Sequence, residues 1–473
     1  MHQNSNYSVD TISCEAPAFV STSWQLSGMH DNVLICSSLV LLLLSTIDPG
    51  PFGFVVRICW LASFVALCFV NIGGALAAYI SSLAIYSPLR MAGWSTLMQR
   101  PDNFAIVILF ASISFLVLKR QRGLPRFAVF GGAFLLYCFL NTKMLSPEQF
   151  PAFYRVLAVP IVACVLLTMV RFRARERNGL LIGMTVLGGY VGFVSVLEGL
   201  HAQRWIIPQW IGDSSILYFE PFFGGNEGRA GGTLMVPALN GLLLSLIFMM
   251  AFPLIRRGGK AFVFIAMVLC AAGDFFTLER GVWLGLALAL FWFPGWFENE
   301  RQVKMRRIAL VGMLILFLVG AAAVAGGRLK DSDTILYRFA IWGAGLRLFL
   351  AHPLTGIGFY NFPTALASVQ QGFGSSLLSY RTVKQEAASH NTVLTVLVEF
   401  GLVGLLLFGA TIFKSVQAAR RNALQLWGSP GRDWVLAFVL VYIVNAQFIS
   451  AFEGTTGTAF FGLIGVIAGA QVE

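Results

Sequence analysis

The chain has 473 residues, of which 57% are hydrophobic and only 12% are charged. Because soluble domains carry about 25% charged residues, this composition excludes a soluble protein and predicts that most of the surface faces lipid. The formal net charge of +11 does not indicate nucleic-acid binding, because the basic residues form short clusters between apolar runs and make no continuous face.

Residues 1–31 form a polar segment without the basic stretch of a cleavable signal, so we expect this segment to remain on the mature protein. About 12 to 14 membrane spans are predicted downstream, since a spanning helix needs roughly 20 mostly apolar residues. The expected fold class is therefore an all-α, polytopic bundle of membrane helices. The predicted spans are 32–47, 52–72, 104–118, 126–141, 154–170, 179–198, 233–254, 261–278, 282–297, 308–326, 392–413, 433–449 and 455–471, with 74–88 as a further candidate.

Five basic clusters recur along the chain, and two predicted spans separate each cluster from the next. All five therefore fall on one face of the membrane, which the positive-inside rule makes cytoplasmic. The clusters are Lys119, Arg120, Arg122 and Arg126; Arg171, Arg173, Arg175 and Arg177; Arg256, Arg257 and Lys260; Arg301, Lys304, Arg306 and Arg307; and Lys414, Arg420 and Arg421.

This orientation places the two longest loops on the outer face, and long loops on a compact scaffold are usually functional. An apolar stretch at 337–351 predicts a helix too short to span, which we expect to lie in the interface or to pack over the bundle. The predicted organisation is membrane helices at 32–198, a first outer loop at 199–232, membrane helices at 233–326, a large outer loop at 327–391 and C-terminal membrane helices at 392–473.

Four polar side chains gather at the outer ends of helices in this topology. Arg229, Arg280 and His390 each stand at the start of a predicted span, and Arg338 comes from the loop helix. Paired arginines present planar forks that suit phosphate oxygens. The alternative for each arginine is an interfacial anchor, which is a common role at a membrane boundary.

His390 has Ser389 and Asn391 beside it, and either neighbour can cap the helix that follows. The positive end of the helix dipole disfavours an imidazolium, so we expect a neutral ring near pH 7 that can accept a proton or a hydrogen bond from a hydroxyl group. A purely structural role in the cap is the alternative.

The remaining polar positions are less informative. Glu399 lies inside an apolar span, where it serves either a hydrogen bond between helices or a function. Asp274 and Glu198 are expected to be structural. The sequence shows no metal-ligand spacing, and neither large loop contains any of the seven cysteines, so no metal, cofactor or loop disulfide is expected.

Four ordered blocks of sequence resemble the bacterial O-antigen ligase and polymerase superfamily. They are Tyr337-Arg338-Phe339-Ala340-Ile341-Trp342 with His352-Pro353-Leu354-Thr355-Gly356-Ile357-Gly358-Phe359-Tyr360-Asn361-Phe362; Ser389-His390-Asn391-Thr392 with Glu399-Phe400-Gly401-Leu402-Val403-Gly404; Arg229 to Asn240; and Arg280-Gly281. The resemblance covers about 225–410. One departure is Glu279, where the family usually has a small hydroxyl residue, and this carboxylate could pair with Arg280.

The resemblance implies a metal-independent, inverting glycosyltransferase of the inner membrane that acts at its periplasmic face. The implied donor is a glycan on undecaprenyl diphosphate, and the implied acceptor is another glycan or lipid A–core. By the same resemblance His390, Arg280 and Arg229 would be catalytic, and Arg338, Trp342, Asn391 and Glu399 would bind substrate. Membrane lipid and proteins of polysaccharide export and chain-length control are the other expected partners, and nucleic acid is not.

Two classes of function stay open. The first is this transferase, acting as a polymerase of exopolysaccharide or O-antigen repeat units, which we favour, or as an O-antigen ligase. The second is a transporter or flippase for the same lipid-linked glycans. A transporter should show broken helices or repeats with charge at mid-membrane, whereas the charges here collect at the outer boundary.

Overall fold

The computed structural model describes residues 27–46, 50–86, 101–120, 123–141, 149–200, 230–234, 236–256, 261–293, 304, 332–370, 390–448 and 454–470. Within these ranges the chain is almost entirely helical, and Phe172 pairs with Ala470 in an isolated β-bridge. The predicted all-α fold is confirmed. Arg229 and the predicted span 308–326 lie outside the described residues.

The helices follow the apolar runs of the sequence. In chain order they are α1 (Ser27–Leu44), α2 (Pro51–Val70), α3 (Ile72–Ile85), α4 (Asp102–Lys119), α5 (Phe127–Asn141), α6 (Gln149–Phe153), a π-helix (Tyr154–Ala158), α7 (Val159–Met169), α8 (Ala174–Gly199), a 3₁₀ turn (Gly232–Leu234), α9 (Pro237–Arg256), α10 (Ala261–Phe276), α11 (Arg280–Trp292), α12 (Ser332–Ala351), α13 (Phe362–Gln370), α14 (Thr392–Ala446) and α15 (Gly454–Gly469).

Six of the described helices are long and apolar enough to cross a membrane. They are Pro51–Val70, Asp102–Lys119, Gln149–Met169, Ala174–Gly199, Pro237–Ile255 and Thr392–Ala446. Shorter apolar helices complete the bundle, among them α3, which occupies the further candidate span at 74–88. The chain is therefore a polytopic membrane protein.

α8 lies at the centre of the bundle, against α3, α9 and α10. At 1.5 Å per residue its 26 residues extend about 39 Å, which exceeds the hydrocarbon thickness of a bilayer, about 30 Å. The two ends of α8 therefore identify the two ends of the bundle.

Basic clusters meet at the end where α8 begins. The Arg120 guanidinium forms an ion pair with Glu176 at 2.8 Å, which joins the first cluster to the second. The Arg177 guanidinium lies 5.1 Å above the ring centre of Trp427, close in the chain to Arg420. Three of the five predicted clusters thus share one end of the bundle, in agreement with the predicted arrangement.

Candidate functional site

The predicted large outer loop contributes α12, which packs against α13 and α14. One face of α12 forms a small apolar core with α13 and α14, separate from the main core of the bundle. This small core consists of Ile341, Ala344, Leu348, Phe362, Leu366 and Val398. Burial of this face against α14 fixes the orientation of the whole helix.

The packing of α12 decides which of its polar residues reach the site. Arg338 and Trp342 are four residues apart and therefore share a face of the helix. Trp342 packs partly buried against the small core, and Arg338 is half-buried. Arg347 follows Arg338 by nine residues, half a turn away around the helix, and is exposed.

The chain after α12 docks on a break in α14. Gly401 has φ +64° and ψ −166°, a conformation essentially restricted to glycine, so the helical hydrogen bonding stops there. The freed carbonyl of Val398 accepts the N–H of Ile357 at 3.0 Å, and that of Glu399 accepts the N–H of Gly358 at 2.8 Å. The 353–361 loop therefore replaces the missing turn of the helix.

The Glu399 side chain supports the same loop from below. It is 5% exposed, and its carboxylate accepts the backbone N–H groups of Phe362, at 3.4 Å, and of Tyr360. A carboxylate with no backbone donors at this depth would be costly. The structure thus shows Glu399 bonded to the backbone of the loop and of the start of α13, and its role in substrate binding stays a prediction.

Side chains of α5 and α6 hold the loop from a second direction. Asn141 donates its amide to the Thr355 carbonyl at 2.6 Å, and Gln149 donates to the Asn361 side-chain oxygen at 3.2 Å. Neither support could be predicted from the sequence. Each pair is more than 200 residues apart in the chain, and no local pattern connects such positions.

His390 lies in the turn that leads into α14. Its φ is +49°, which is uncommon for a residue with a side chain and marks a position that the surrounding structure constrains. Asn391 is the N-cap, because its side-chain oxygen accepts the N–H of Leu394 at 2.9 Å. That oxygen is engaged in the cap. His390, the residue before it, is half-buried.

Arg280 is the first residue of α11 and is exposed. The turn before it is fixed by two hydrogen bonds to the Asp274 carbonyl, from the Trp283 indole N–H at 3.0 Å and the Thr277 hydroxyl at 2.7 Å. Within the described ranges Arg280 forms no ion pair with Glu279, so the unusual carboxylate at 279 leaves the charge of Arg280 available.

Electrostatic effects show that the structure brings Arg280, Arg338 and His390 together. Burial and, as the smaller cause, the positive charge of Arg338 lower the pKa of His390 to about 4. Burial and the charge of Arg280 likewise lower the pKa of Arg338. The imidazole is thus neutral near pH 7, with burial as the largest cause.

These three groups come from three separate elements and lie at the end of the bundle opposite the basic clusters, since α14 runs from His390 towards Lys414. Arg280 and Arg338 carry like charges, and among the residues described no carboxylate is paired with either of them. Such a pair of charges would bind an anion. The neutral imidazole beside them can accept a hydrogen bond.

Comparison with known families gives one match. Residues 265–409 match the family model described as O-Antigen ligase. The matched segment runs from α10 into α14 and includes Arg280, Arg338, His390 and Glu399, whereas Arg229 precedes it. Among curated proteins no match to the chain was found. The match over 265–409, the segment that carries the described site, supports the resemblance of this chain to the O-antigen ligase and polymerase superfamily.

Proposed function

We propose that this protein transfers a glycan from undecaprenyl diphosphate to a sugar hydroxyl at the periplasmic face of the bacterial inner membrane. The observation that carries the proposal is the convergence of Arg280, Arg338 and a neutral His390 at one end of an apolar helix bundle. The O-antigen ligase match over the same residues supports it.

The arginines would bind the donor's diphosphate. When the bond between the anomeric carbon and the diphosphate oxygen breaks, the bonding electron pair leaves with that oxygen and the negative charge on the diphosphate grows. Fixed guanidinium groups at Arg280 and Arg338 stabilise this charge without reorganising. Arg229 is proposed as a third such group from its position in the sequence. The polyprenyl chain of the donor would lie among the apolar helices.

His390 would orient the acceptor and take up its proton. The acceptor oxygen forms the new bond to the anomeric carbon from the side opposite the diphosphate, so the configuration inverts, and the hydroxyl proton passes to an imidazole nitrogen. An imidazole with a pKa of about 4 is a weak base. Bound diphosphate would offset the charge of Arg338 and raise the pKa of His390, so the ring becomes a stronger base when donor is present.

The periplasmic orientation rests on the charge distribution. The site lies at the end of the bundle opposite the basic clusters that meet near Arg120 and Arg177, and the positive-inside rule keeps such clusters in the cytoplasm. The site would therefore face the periplasm, where the lipid-linked glycan meets its acceptor. Export and chain-length proteins would act beside the enzyme on that face.

Transport of the same glycans is the second candidate, and one observation favours it, because broken membrane helices line the sites of many transporters. α14 is broken at Gly401. However, the carbonyls of Val398 and Glu399 at this break accept backbone N–H groups of the 353–361 loop. The break therefore anchors a loop, and transferase activity remains our proposal.

The deciding experiment supplies purified protein in nanodiscs with the strain's lipid-linked repeat unit and analyses the products. Growth of the glycan on undecaprenyl diphosphate shows a polymerase, which we favour. Transfer only when lipid A–core is added shows a ligase. If neither product forms while the same protein moves the donor across a sealed vesicle membrane, the transferase proposal is wrong.

A further inference from the structure

Glu198 stands at the outer end of α8 and is only 4% exposed. Its carboxylate accepts the backbone N–H of Gly232 at 2.7 Å and also that of Gly231. These two glycines follow Arg229 closely in the sequence. A buried carboxylate at the end of the central helix thus holds the chain that leads away from this arginine.

The same short segment is fixed from its other side by α9. Gly232 has φ +55°, and a Cβ atom at this position would lie 2.3 Å from the Asn240 side-chain oxygen, so the segment requires glycine. The Asn240 amide in turn donates to the Ser195 hydroxyl of α8 at 2.8 Å. Glu198 and Asn240 together leave the glycine segment little freedom.

A third contact links this segment to the turn that leads to Arg280. The N–H of Ala230 donates to the carbonyl of Phe276 at 2.9 Å, and Phe276 is the last residue of α10. The chain then makes the short turn that ends in Arg280. One backbone hydrogen bond therefore joins the 230–232 segment to the end of α10, just before the turn to Arg280.

We infer that Glu198 is a positioning residue, which holds residues 230–232 and through them fixes the turn before Arg280, the arginine that would bind the diphosphate of the donor. The inference rests on the proposed function and deepens it. Glu198 itself touches no substrate. Its two hydrogen bonds seat Gly231 and Gly232, and this seating places Ala230 where it can bond to Phe276. Loss of the carboxylate would let the glycine segment move relative to the turn before Arg280.

Glu198→Gln tests the inference, because the amide keeps the size of the side chain but replaces one acceptor oxygen by a donor that faces a backbone N–H. Glu176→Gln is the matched control. Glu176 is also buried, 6% exposed, and lies on the same helix, but at the opposite end, where it pairs with Arg120. Both variants remove one buried carboxylate from α8.

The measurements are the Kd for undecaprenyl diphosphate, the KM values for donor and acceptor, and the thermal unfolding temperature of each purified variant. We expect Glu198→Gln to weaken binding of undecaprenyl diphosphate and to raise the donor KM, each on the order of tenfold, with the acceptor KM unchanged. Glu176→Gln should lower the unfolding temperature and leave both donor constants unchanged.

An unchanged Kd for undecaprenyl diphosphate in folded Glu198→Gln would overturn the inference and leave Glu198 as a structural residue. Should that variant fail to accumulate, Glu198→Asp keeps the charge on a shorter side chain and must show a weaker change in the same direction. Failure of the wild-type protein to bind undecaprenyl diphosphate, or to transfer glycan, would instead contradict the proposed function itself.

Discussion

Arg338 on the loop helix lies close enough to His390, at the start of α14, for its positive charge to lower the pKa of the imidazole. An arginine next to a proton acceptor weakens the acceptor in the free enzyme. In the proposed reaction the same arginine also attracts the anionic donor, whose charge would offset this effect. This pairing makes the basicity of His390 depend on occupancy of the donor site, and it can be tested through the pH dependence of activity.

Arg338→Gln should move the acid limb of kcat/KM to higher pH. Burial and Arg338 hold the pKa of His390 at about 4 in the wild type, so the neutral imidazole persists well into the acid range. Without the guanidinium, this pKa rises part of the way towards the ordinary value of about 6.5, and protonation removes the acceptor at less acid pH. Normalised pH–rate profiles of the two proteins measure the shift, and coincident acid limbs would contradict it.

His390→Ala should abolish transfer and leave folding intact. The side chain is half-buried in a turn outside the apolar cores, so its loss removes few packing contacts, whereas neither Arg280 nor Arg338 has a nitrogen that can accept a proton. We expect a loss of specific activity of at least about 100-fold, the lower range for general acid–base groups. Product formation per folded protein is the measurement. His352→Ala is the control, since His352 is exposed at the end of α12 and its removal should keep activity.

Arg280→Lys should retain part of the donor affinity, and Arg280→Ala should lose more of it. A lysine supplies charge but lacks the planar fork that bonds two phosphate oxygens at once. Titration with undecaprenyl diphosphate should give a Kd for Arg280→Ala that is raised on the order of tenfold or more. Arg347→Ala removes an exposed arginine of α12 and should bind normally. Equal affinities in all three variants would remove Arg280 from the donor site.

Much of the fold could be predicted because lipid imposes a simple rule on sequence. An apolar run must be a helix, since each backbone polar group has to find its partner within the segment. The loop helix around Arg338 could be predicted in the same way. Its packing over α14, and the proximity of Arg338 to His390, agree with the arrangement expected from topology.

The rest depends on contacts between distant segments. Glu399 reads as an isolated charge in an apolar run, and only the docked 353–361 loop supplies the backbone donors that explain it. Glu198 was expected to be structural for the same reason, because its partner, the chain at Gly231 and Gly232, comes from beyond a long loop. The break at Gly401 is likewise invisible to hydropathy, since a glycine in an apolar run is compatible with an unbroken helix.

Gly401→Ala should destabilise the protein and impair transfer, whereas Gly409→Ala should do neither. A Cβ atom at Gly401 would lie 2.3 Å from the Leu354 carbonyl oxygen, and its backbone conformation costs a residue with a side chain about 1–3 kcal/mol. Gly409 lies in the same helix with no atom within 4 Å of an added Cβ. Thermal unfolding and specific activity of detergent-purified variants compare the two. A Gly401→Ala protein as stable as Gly409→Ala would show that the loop does not need this break.

The last prediction concerns orientation and is independent of the chemistry at the site. Carrying a basic cluster across the bilayer means moving three or four cations through hydrocarbon, each costing about 2.5–3.5 kcal/mol at the helix centre on the insertion scale. The end of the bundle that holds Arg120 and Arg177 should therefore face the cytoplasm. Two exposed positions report the two ends, Thr355 in the docked loop and Ser429 beyond Arg420 and Arg421.

In a background without the native cysteines, Thr355→Cys should react with a membrane-impermeant thiol reagent in intact spheroplasts. Ser429→Cys should react only after the membrane has been permeabilised. The comparison is internal, because both side chains are exposed and both variants are labelled under identical conditions. The reverse pattern would place Arg280, Arg338 and His390 in the cytoplasm, away from any periplasmic acceptor. The proposed transfer reaction would then have to be abandoned along with the topology.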